Sequence, residues 1–67
     1  MEIIVNGKPD TVSQAQLTIS DLLVARQLNG KRIAVECNGE IVPKSLHSST
    51  TLNAGDRVEI VVAVGGG

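Results

Sequence analysis

The chain has 67 residues, a net charge of −1 and a composition that is 42% hydrophobic, with no Phe, Tyr or Trp. One cysteine and one histidine can form neither an intrachain disulfide nor the three- or four-ligand set of a zinc site. The weak net charge and the missing aromatic rings argue against nucleic acid as a partner, and no apolar run approaches the ~18 residues of a membrane span. We therefore expect one small domain, stabilised by aliphatic packing, in a reducing compartment such as the cytoplasm.

The N-terminal segment is typical of a β-hairpin. Glu2–Val5 is rich in β-branched residues, and Asn6-Gly7 favours a type I′ turn, whose two central residues have positive φ. Residues 8–12 are the expected return strand. Pro9 lacks a backbone N–H, which places this strand at a sheet edge or makes it begin after the proline. Residues 13–16 are expected to form a loop.

A single short helix is expected next. Thr18 and Asp21 stand three residues apart, which is the capping-box pattern of a helix start. Apolar residues then recur at helical spacing over about ten residues. The positions expected to face inward are Ile19, Leu22, Leu23, Val24, Leu28 and the aliphatic stem of Arg26. Asn29-Gly30 is expected to end the helix in a left-handed conformation.

A second hairpin follows the helix. Residues 32–37 form the expected third strand, with Ile33, Val35 and Cys37 on one face. Asn38-Gly39 repeats the turn signal of the first hairpin, and Glu40–Val42 is a short strand ended by a proline.

The last third of the chain consists of a loop, a turn and a strand. Residues 44–51 are polar, and we expect Leu46 to anchor this loop while His47 is solvated. Asp56 is expected to be a turn residue within 53–56. Residues 57–64 form the most apolar strand. Its inward residues are Val58, Ile60 and Val62, and its outward residues are Glu59, Val61 and Ala63.

This order of elements predicts an α+β fold: a mixed sheet of four to five strands with one helix across one face. The last strand should lie centrally and pair in parallel with the first. Residues 1–64 form the expected domain, and residues 65–67, three glycines, form a flexible tail. Such a tail is either an unremarkable linker or an arm that enters a slot too narrow for side chains.

Several stretches, taken in order, carry a resemblance to a known family. They are Ile4-Val5-Asn6-Gly7, Ser20-Asp21-Leu22-Leu23, the segment AVECNGEIVP at 34–43, the segment LNAGDRVEI at 52–60 and the terminal AVGGG at 63–67. Together they resemble the ThiS family of sulfur carriers in thiamine biosynthesis, which has the ubiquitin-like β-grasp fold.

The resemblance implies a carrier and not an enzyme, with no catalytic residue, no metal and no bound cofactor. Gly67 would carry the carboxylate that is adenylated and converted to a thiocarboxylate, and Gly65 and Gly66 would thread into the partner's active site. The implied partners are an adenylyltransferase of the ubiquitin-activating type that uses ATP, a thiazole synthase, and a sulfur donor such as a cysteine desulfurase.

Four further residues are candidates for partner docking. Val61 and Ala63 form an outward apolar patch beside the tail, whereas Arg57 and Glu59 are placed to set specificity by charge. Ordinary sheet surface or a dimer contact is the alternative for this patch. Cys37 is expected to be a small buried hydrophobe, and we do not expect it to form a nucleophilic pair with His47.

Other functions stay open at this point. A molybdopterin-type carrier, or another β-grasp sulfur carrier, would share the fold and the tail. A ubiquitin-like modifier would be joined through Gly67 to lysines of other proteins. A plain binding module would not need Gly66 and Gly67, and an enzyme acting through Cys37 is the last alternative.

Overall fold

The computed structural model describes residues 1–13 and 16–63. Its strands are β1 (Glu2–Val5), β2 (Lys8–Thr11), β3 (Leu17–Thr18), β4 (Ile33–Cys37), β5 (Glu40–Val42), β6 (Thr51–Leu52) and β7 (Arg57–Val62). One helix, α1 (Ile19–Ala25), and one 3₁₀ turn, Lys44–Leu46, complete the elements of this part of the chain. The predicted loop at 13–16 lies partly outside the described residues. The glycine tail lies wholly outside them, so the proposed boundary at residue 64 stays a prediction.

Five strands form a mixed sheet in the order β2-β1-β7-β4-β5. The last strand is central, as predicted, and it pairs in parallel with β1 through Val5 and Val58. On its other side it pairs antiparallel with β4 over five residues. Pro9 lies in β2, at an edge of the sheet, where its missing N–H breaks no ladder.

Both predicted hairpin turns are confirmed. Asn6 and Gly7 have φ values of 51° and 80°, and Asn38 and Gly39 have values of 53° and 85°. These pairs of positive φ define the turn that matches the right-handed twist of the flanking strands.

Helix α1 covers one face of the five-stranded sheet, and the core lies between them. Its buried members are Ile3, Val5, Leu17, Ile19, Leu22, Leu23, Val35, Leu52, Val58 and Ile60. Each is aliphatic, as the composition requires, and the inward positions Val58 and Ile60 of β7 are among them. The opposite face of the sheet carries the outward residues of the same strands.

The helix begins as predicted and ends earlier. Thr18 and Asp21 form the capping box, with Asp21 N donating to Thr18 Oγ1 at 3.1 Å and Thr18 N donating to Asp21 Oδ2 at 3.0 Å. Two loop carbonyls accept from the next free amides: Thr50 from Ile19 N and His47 from Ser20 N, each at 3.0 Å. The start of the helix is therefore tied to the loop before β6.

The predicted stop at Asn29-Gly30 is wrong, because the helix ends at Ala25. Gln27 takes the left-handed conformation with φ of 59°. Leu28 N donates to Leu23 O at 2.8 Å and Gln27 N to Val24 O at 3.0 Å, which are the two bonds of a Schellman motif. The apolar Leu28 packs back on the core and so fixes the end of the helix. Val24, expected inside, is 58% exposed.

A second, two-stranded sheet was not predicted. β3 pairs antiparallel with β6, with Leu17 opposite Leu52, and both leucines are buried. The predicted roles of the two loop residues before β6 are reversed. Leu46 is 48% exposed, whereas His47 is only 6% exposed and is the buried anchor.

Candidate functional site

The glycine tail continues from the most central strand of the sheet. Ala63, the last described residue, donates its N–H to Arg32 O at 2.9 Å, one pair beyond the end of the β4–β7 ladder. The structure therefore fixes the base of the tail in space, whereas the predicted site residues Gly65, Gly66 and Gly67 lie outside the described residues.

The asparagine of the first turn holds β7 from one side. Asn6 N donates to Val58 O at 2.9 Å, and Asn6 Oδ1 accepts from Ile60 N at 2.7 Å. This second bond joins residues 54 positions apart. It satisfies the Ile60 amide, which lies beyond the last pair between β1 and β7.

Asn38 holds the other side of β7 in the same manner. Its backbone N donates to Arg57 O at 2.8 Å, and its Oδ1 accepts from Arg57 N at 3.0 Å. Its Nδ2 also donates to Asp56 Oδ1 at 3.1 Å. Sequence reasoning identified both asparagines as turn formers and missed that their amides brace the strand that leads to the tail.

The outward residues of β7 lie on a sheet face that no other described element covers. Val61 is 61% exposed and stands opposite Ala34 of β4. Both line a shallow depression with Arg32, Ile33 and Ala63. The structure thus brings the predicted docking residues Val61 and Ala63 together at the base of the tail.

The charged docking candidates lie further along the same face. Glu59 stands directly opposite Glu36 of β4, and Arg57 is in register with Ile4 of β1. Like charges that face each other across two strands repel. Within the described residues the only ion pair is Arg26 with Asp10, at 2.6 Å, so neither glutamate is neutralised there. A cationic partner group would relieve this repulsion.

Cys37 is half buried and packs against the core. Its Sγ lies 3.9 Å from Asp56 Oδ2, a carboxylate that also accepts from Asn53 N at 2.8 Å. Burial raises the pKa of the Cys37 thiol, and the charge and hydrogen bond of Asp56 raise it further. The thiolate, which is the nucleophilic form, is therefore disfavoured at neutral pH.

The raised pKa of Cys37 leads to a measurable pH profile. We expect iodoacetamide to alkylate the native protein more slowly than free cysteine, with the midpoint of the rate–pH curve at higher pH. Asp56→Asn keeps an acceptor for Asn53 N and removes the charge, so it should move the midpoint down. A midpoint at or below that of free cysteine would contradict the assignment.

The same pKa shift has a defined sign for stability. A thiol whose pKa is higher in the folded state favours folding below the unfolded pKa, and this contribution is lost as pH rises through the folded pKa. The free energy of unfolding is therefore expected to fall as pH rises above the usual pKa of a thiol, and Cys37→Ser should reduce this fall.

His47 and Cys37 do not form a nucleophilic pair through hydrogen bonding. The Nε2 atom of His47 lies 3.0 Å from Val42 O, at the end of β5, whereas the Cys37 thiol is hydrogen-bonded to Asp56. Within residues 1–13 and 16–63, no group of three or more His, Cys, Asp or Glu side chains is placed to hold a metal ion. In the same part of the chain, no helix is long and apolar enough to cross a bilayer.

Comparison with known proteins decides the family. The model of the ThiS family matches residues 3–67, which is nearly the whole sequence and includes the glycine tail. The chain belongs to the ThiS family. This confirms the resemblance drawn from the sequence.

Individual relatives agree with the ThiS assignment. The sulfur carrier protein ThiS of Bacillus subtilis is 42% identical over 62 residues, which are 92% of this chain and 94% of that protein. The crystal structure of the thiamine biosynthesis protein ThiS from Geobacter metallireducens superposes with a TM-score of 0.86, at 38% identity and with full coverage of both chains. The fold is the ubiquitin-like β-grasp predicted for the ThiS family.

A longer relative has a different architecture. A thiazole synthase of Paramagnetospirillum magneticum is 40% identical to this ThiS-family chain over all 67 residues, but the chain spans only 20% of that protein's length. A ThiS-like segment is therefore part of that larger polypeptide.

Proposed function

We propose that this ThiS-family protein is a sulfur carrier of thiamine biosynthesis whose Gly67 carboxylate becomes a thiocarboxylate. The observation that carries the proposal is the family match through residue 67, on a chain whose central strand leads into the glycine tail. The name of the Bacillus subtilis relative supports the same role.

The chemistry needs activation before sulfur transfer. A carboxylate is a poor electrophile, so its oxygen first attacks the α-phosphorus of ATP and releases pyrophosphate. The resulting acyl-adenylate has AMP as a leaving group. The terminal sulfur of a persulfide then attacks the Gly67 carbonyl carbon and displaces AMP. A second thiol cleaves the S–S bond, which leaves the thiocarboxylate and a disulfide.

In this scheme the carrier positions its own tail for the partner and catalyses no step. Asn6 and Asn38 brace β7 from both sides, so the strand that precedes the tail is held in a fixed position. The residues beyond Ala63 present no side chain larger than that of Val64, which suits a narrow channel. ATP is bound by the partner, an adenylyltransferase of the ubiquitin-activating type, and a cysteine desulfurase is the proposed source of the persulfide. The proposed compartment is the cytoplasm.

A thiazole synthase is the proposed receiver of the sulfur. The protein of that name from Paramagnetospirillum magneticum contains a segment that matches this chain from end to end. A carrier and its acceptor that work together benefit from being joined, because linkage raises the effective concentration of one for the other.

Intact mass tests the carrier role. The protein is incubated with ATP, an adenylyltransferase of the ubiquitin-activating type (here called ThiF-type) and a sulfide source. We expect the gain in mass that corresponds to one oxygen replaced by sulfur. A variant without Gly67 is the control and should not change. If the enzyme charges its own known carrier while this chain stays unmodified, the proposal is wrong, and a search for protein conjugates through Gly67 would follow.

The exposed face around Val61 and Ala63 is the proposed docking surface for the adenylyltransferase. Val61→Asp places a charge in the apolar depression, and we expect KM for the carrier to rise about tenfold, as for loss of an interface anchor. Val24→Asp is a matched control, because Val24 is similarly exposed (58% against 61%) on the helix side of the protein. Equal effects of both substitutions would contradict docking through this face.

A further inference from the structure

The hydrogen-bonding pattern of β7 differs between its two sides. In an antiparallel pair, residues alternate between those that bond the partner strand and those whose N–H and C=O point away from it. Ala63 N bonds Arg32 O, and Asn38 N bonds Arg57 O, so the odd-numbered residues of β7 face β4. It follows that the backbone groups of Val58, Ile60 and Val62 point to the side of β1.

β1 is too short to accept all of these groups. Its pairing with β7 ends at Val5 opposite Val58, where the chain turns away at Asn6. The Asn6 side chain accepts from Ile60 N at 2.7 Å and so extends the row by one bond. Beyond it, Ile60 C=O and both backbone groups of Val62 have no hydrogen-bond partner among residues 1–13 and 16–63.

These groups form a short open edge in the middle of the sheet, next to the tail. The two outer edges are less suitable for pairing. In β2, Pro9 faces outward and has no N–H to donate. β5 has three residues, and the Val42 carbonyl at its end lies 3.0 Å from His47 Nε2. The open edge of β7 offers both a donor and acceptors.

The length of the tail limits how far a partner's active site can lie from this edge. Gly67 lies four residues beyond Ala63, so even a fully extended tail ends within ~14 Å of the end of β7. An enzyme whose active site holds the Gly67 carboxylate must therefore have a surface close to the C-terminal end of β7. The depression formed by Val61 and Ala63 lies on the adjoining face, so one partner can cover both.

We propose that the adenylating partner inserts an extended segment beside β7, in the row that β1 vacates after Asn6, and pairs with the backbone of Ile60 and Val62. Addition of a strand to an open edge gives affinity through main-chain hydrogen bonds. This suits a recognition element next to a tail that has almost no side chains. The inference rests on the proposed function, because it deepens the docking step.

Amide hydrogen exchange of the intact protein, followed by NMR, tests this pairing. In the free protein, we expect the Val62 amide to exchange at least tenfold faster than the Val61 amide, which faces Ala34 in the β4 ladder. Addition of the ThiF-type adenylyltransferase without ATP should slow Val62 at least tenfold. Protection of Val62 in the free protein would overturn the inference, and so would unchanged exchange in the complex.

A pair of variants at one position isolates the N–H group. Val62→Ala and Val62→Pro both shorten the inward side chain, but only proline removes the amide that faces the open edge, and neither removes a β4 hydrogen bond. We expect kcat/KM for adenylation to fall about three- to tenfold further in the proline variant than in the alanine variant, as for loss of one hydrogen bond. Equal rates would overturn the inference.

The outcomes separate the two proposals. If Gly67 is adenylated while Val62 stays unprotected, the carrier function stands and the added strand is wrong. If no adenylyltransferase of this type binds or charges the protein, both are wrong. If the proline variant unfolds, as circular dichroism would show, the exchange experiment on the unmodified protein still decides.

Discussion

Replacing Gly66 by alanine is expected to lower the rate of charging, meaning conversion of the Gly67 carboxylate to the thiocarboxylate, by roughly tenfold to a hundredfold. The substitution should leave thermal unfolding unchanged. A methyl group forced into a closely fitted site typically costs about 1–3 kcal/mol, and each 1.4 kcal/mol in an activation barrier is tenfold in rate. Intact mass measures charging. Because the chain has no Tyr or Trp, far-UV circular dichroism is the suitable probe of unfolding.

Gly65→Ala is the matched control for this prediction. The same methyl group is added to the same tail, one residue further from the reactive carbonyl. We expect a smaller loss of rate than for Gly66→Ala. Normal charging of the Gly66→Ala variant would contradict a narrow channel, and a lowered Tm would show that the tail contributes to the fold.

Replacing His47 by alanine is expected to cost about 2–3 kcal/mol of unfolding free energy. The substitution removes a buried side chain and leaves the Val42 carbonyl without its side-chain partner, a combination that is among the severe classes of point mutation. In a domain of this size, each 1 kcal/mol lowers Tm by roughly 4–8 °C, so we expect a fall of about 10–20 °C.

Leu46→Ala provides the comparison for His47→Ala. Leu46 is the apolar residue of the two, and the sequence predicted it to lie inside, yet it is 48% exposed. We expect it to cost less than about 1 kcal/mol. If the leucine variant proved the less stable of the two, the assigned roles of these neighbouring residues would be wrong.

The main features of the sheet could be predicted from local patterns because each strand carries its own signal. Alternation in β7 identified Val58 and Ile60 as buried, and Asn-Gly pairs located both hairpin turns. The β3–β6 pair could not be found this way, because two-residue strands have no alternation to detect. The end of the helix depended on the packing of Leu28, a tertiary contact that outweighed the Asn29-Gly30 signal.

In the candidate site, too, local patterns predicted some features, whereas features that depend on distant contacts were missed. Val61 and Ala63 were predicted to face outward, and both are exposed and line one depression in the structure. The role of His47 was missed because a polar loop sequence does not reveal that an imidazole will reach a strand carbonyl. The bracing by Asn6 was missed because its partner Ile60 is 54 positions away, beyond the reach of any local pattern.

The parallel pairing of β1 with β7 has a mechanical consequence. In parallel neighbours, the start of one strand and the end of the other lie at opposite ends of the sheet. Tension applied between Met1 and the tail therefore slides the two strands past each other and loads their hydrogen bonds all at once, and not one after another as in unzipping. An enzyme that pulls on the tail while the domain is held at its N-terminal end would therefore load this strand pair in shear and not in unzipping.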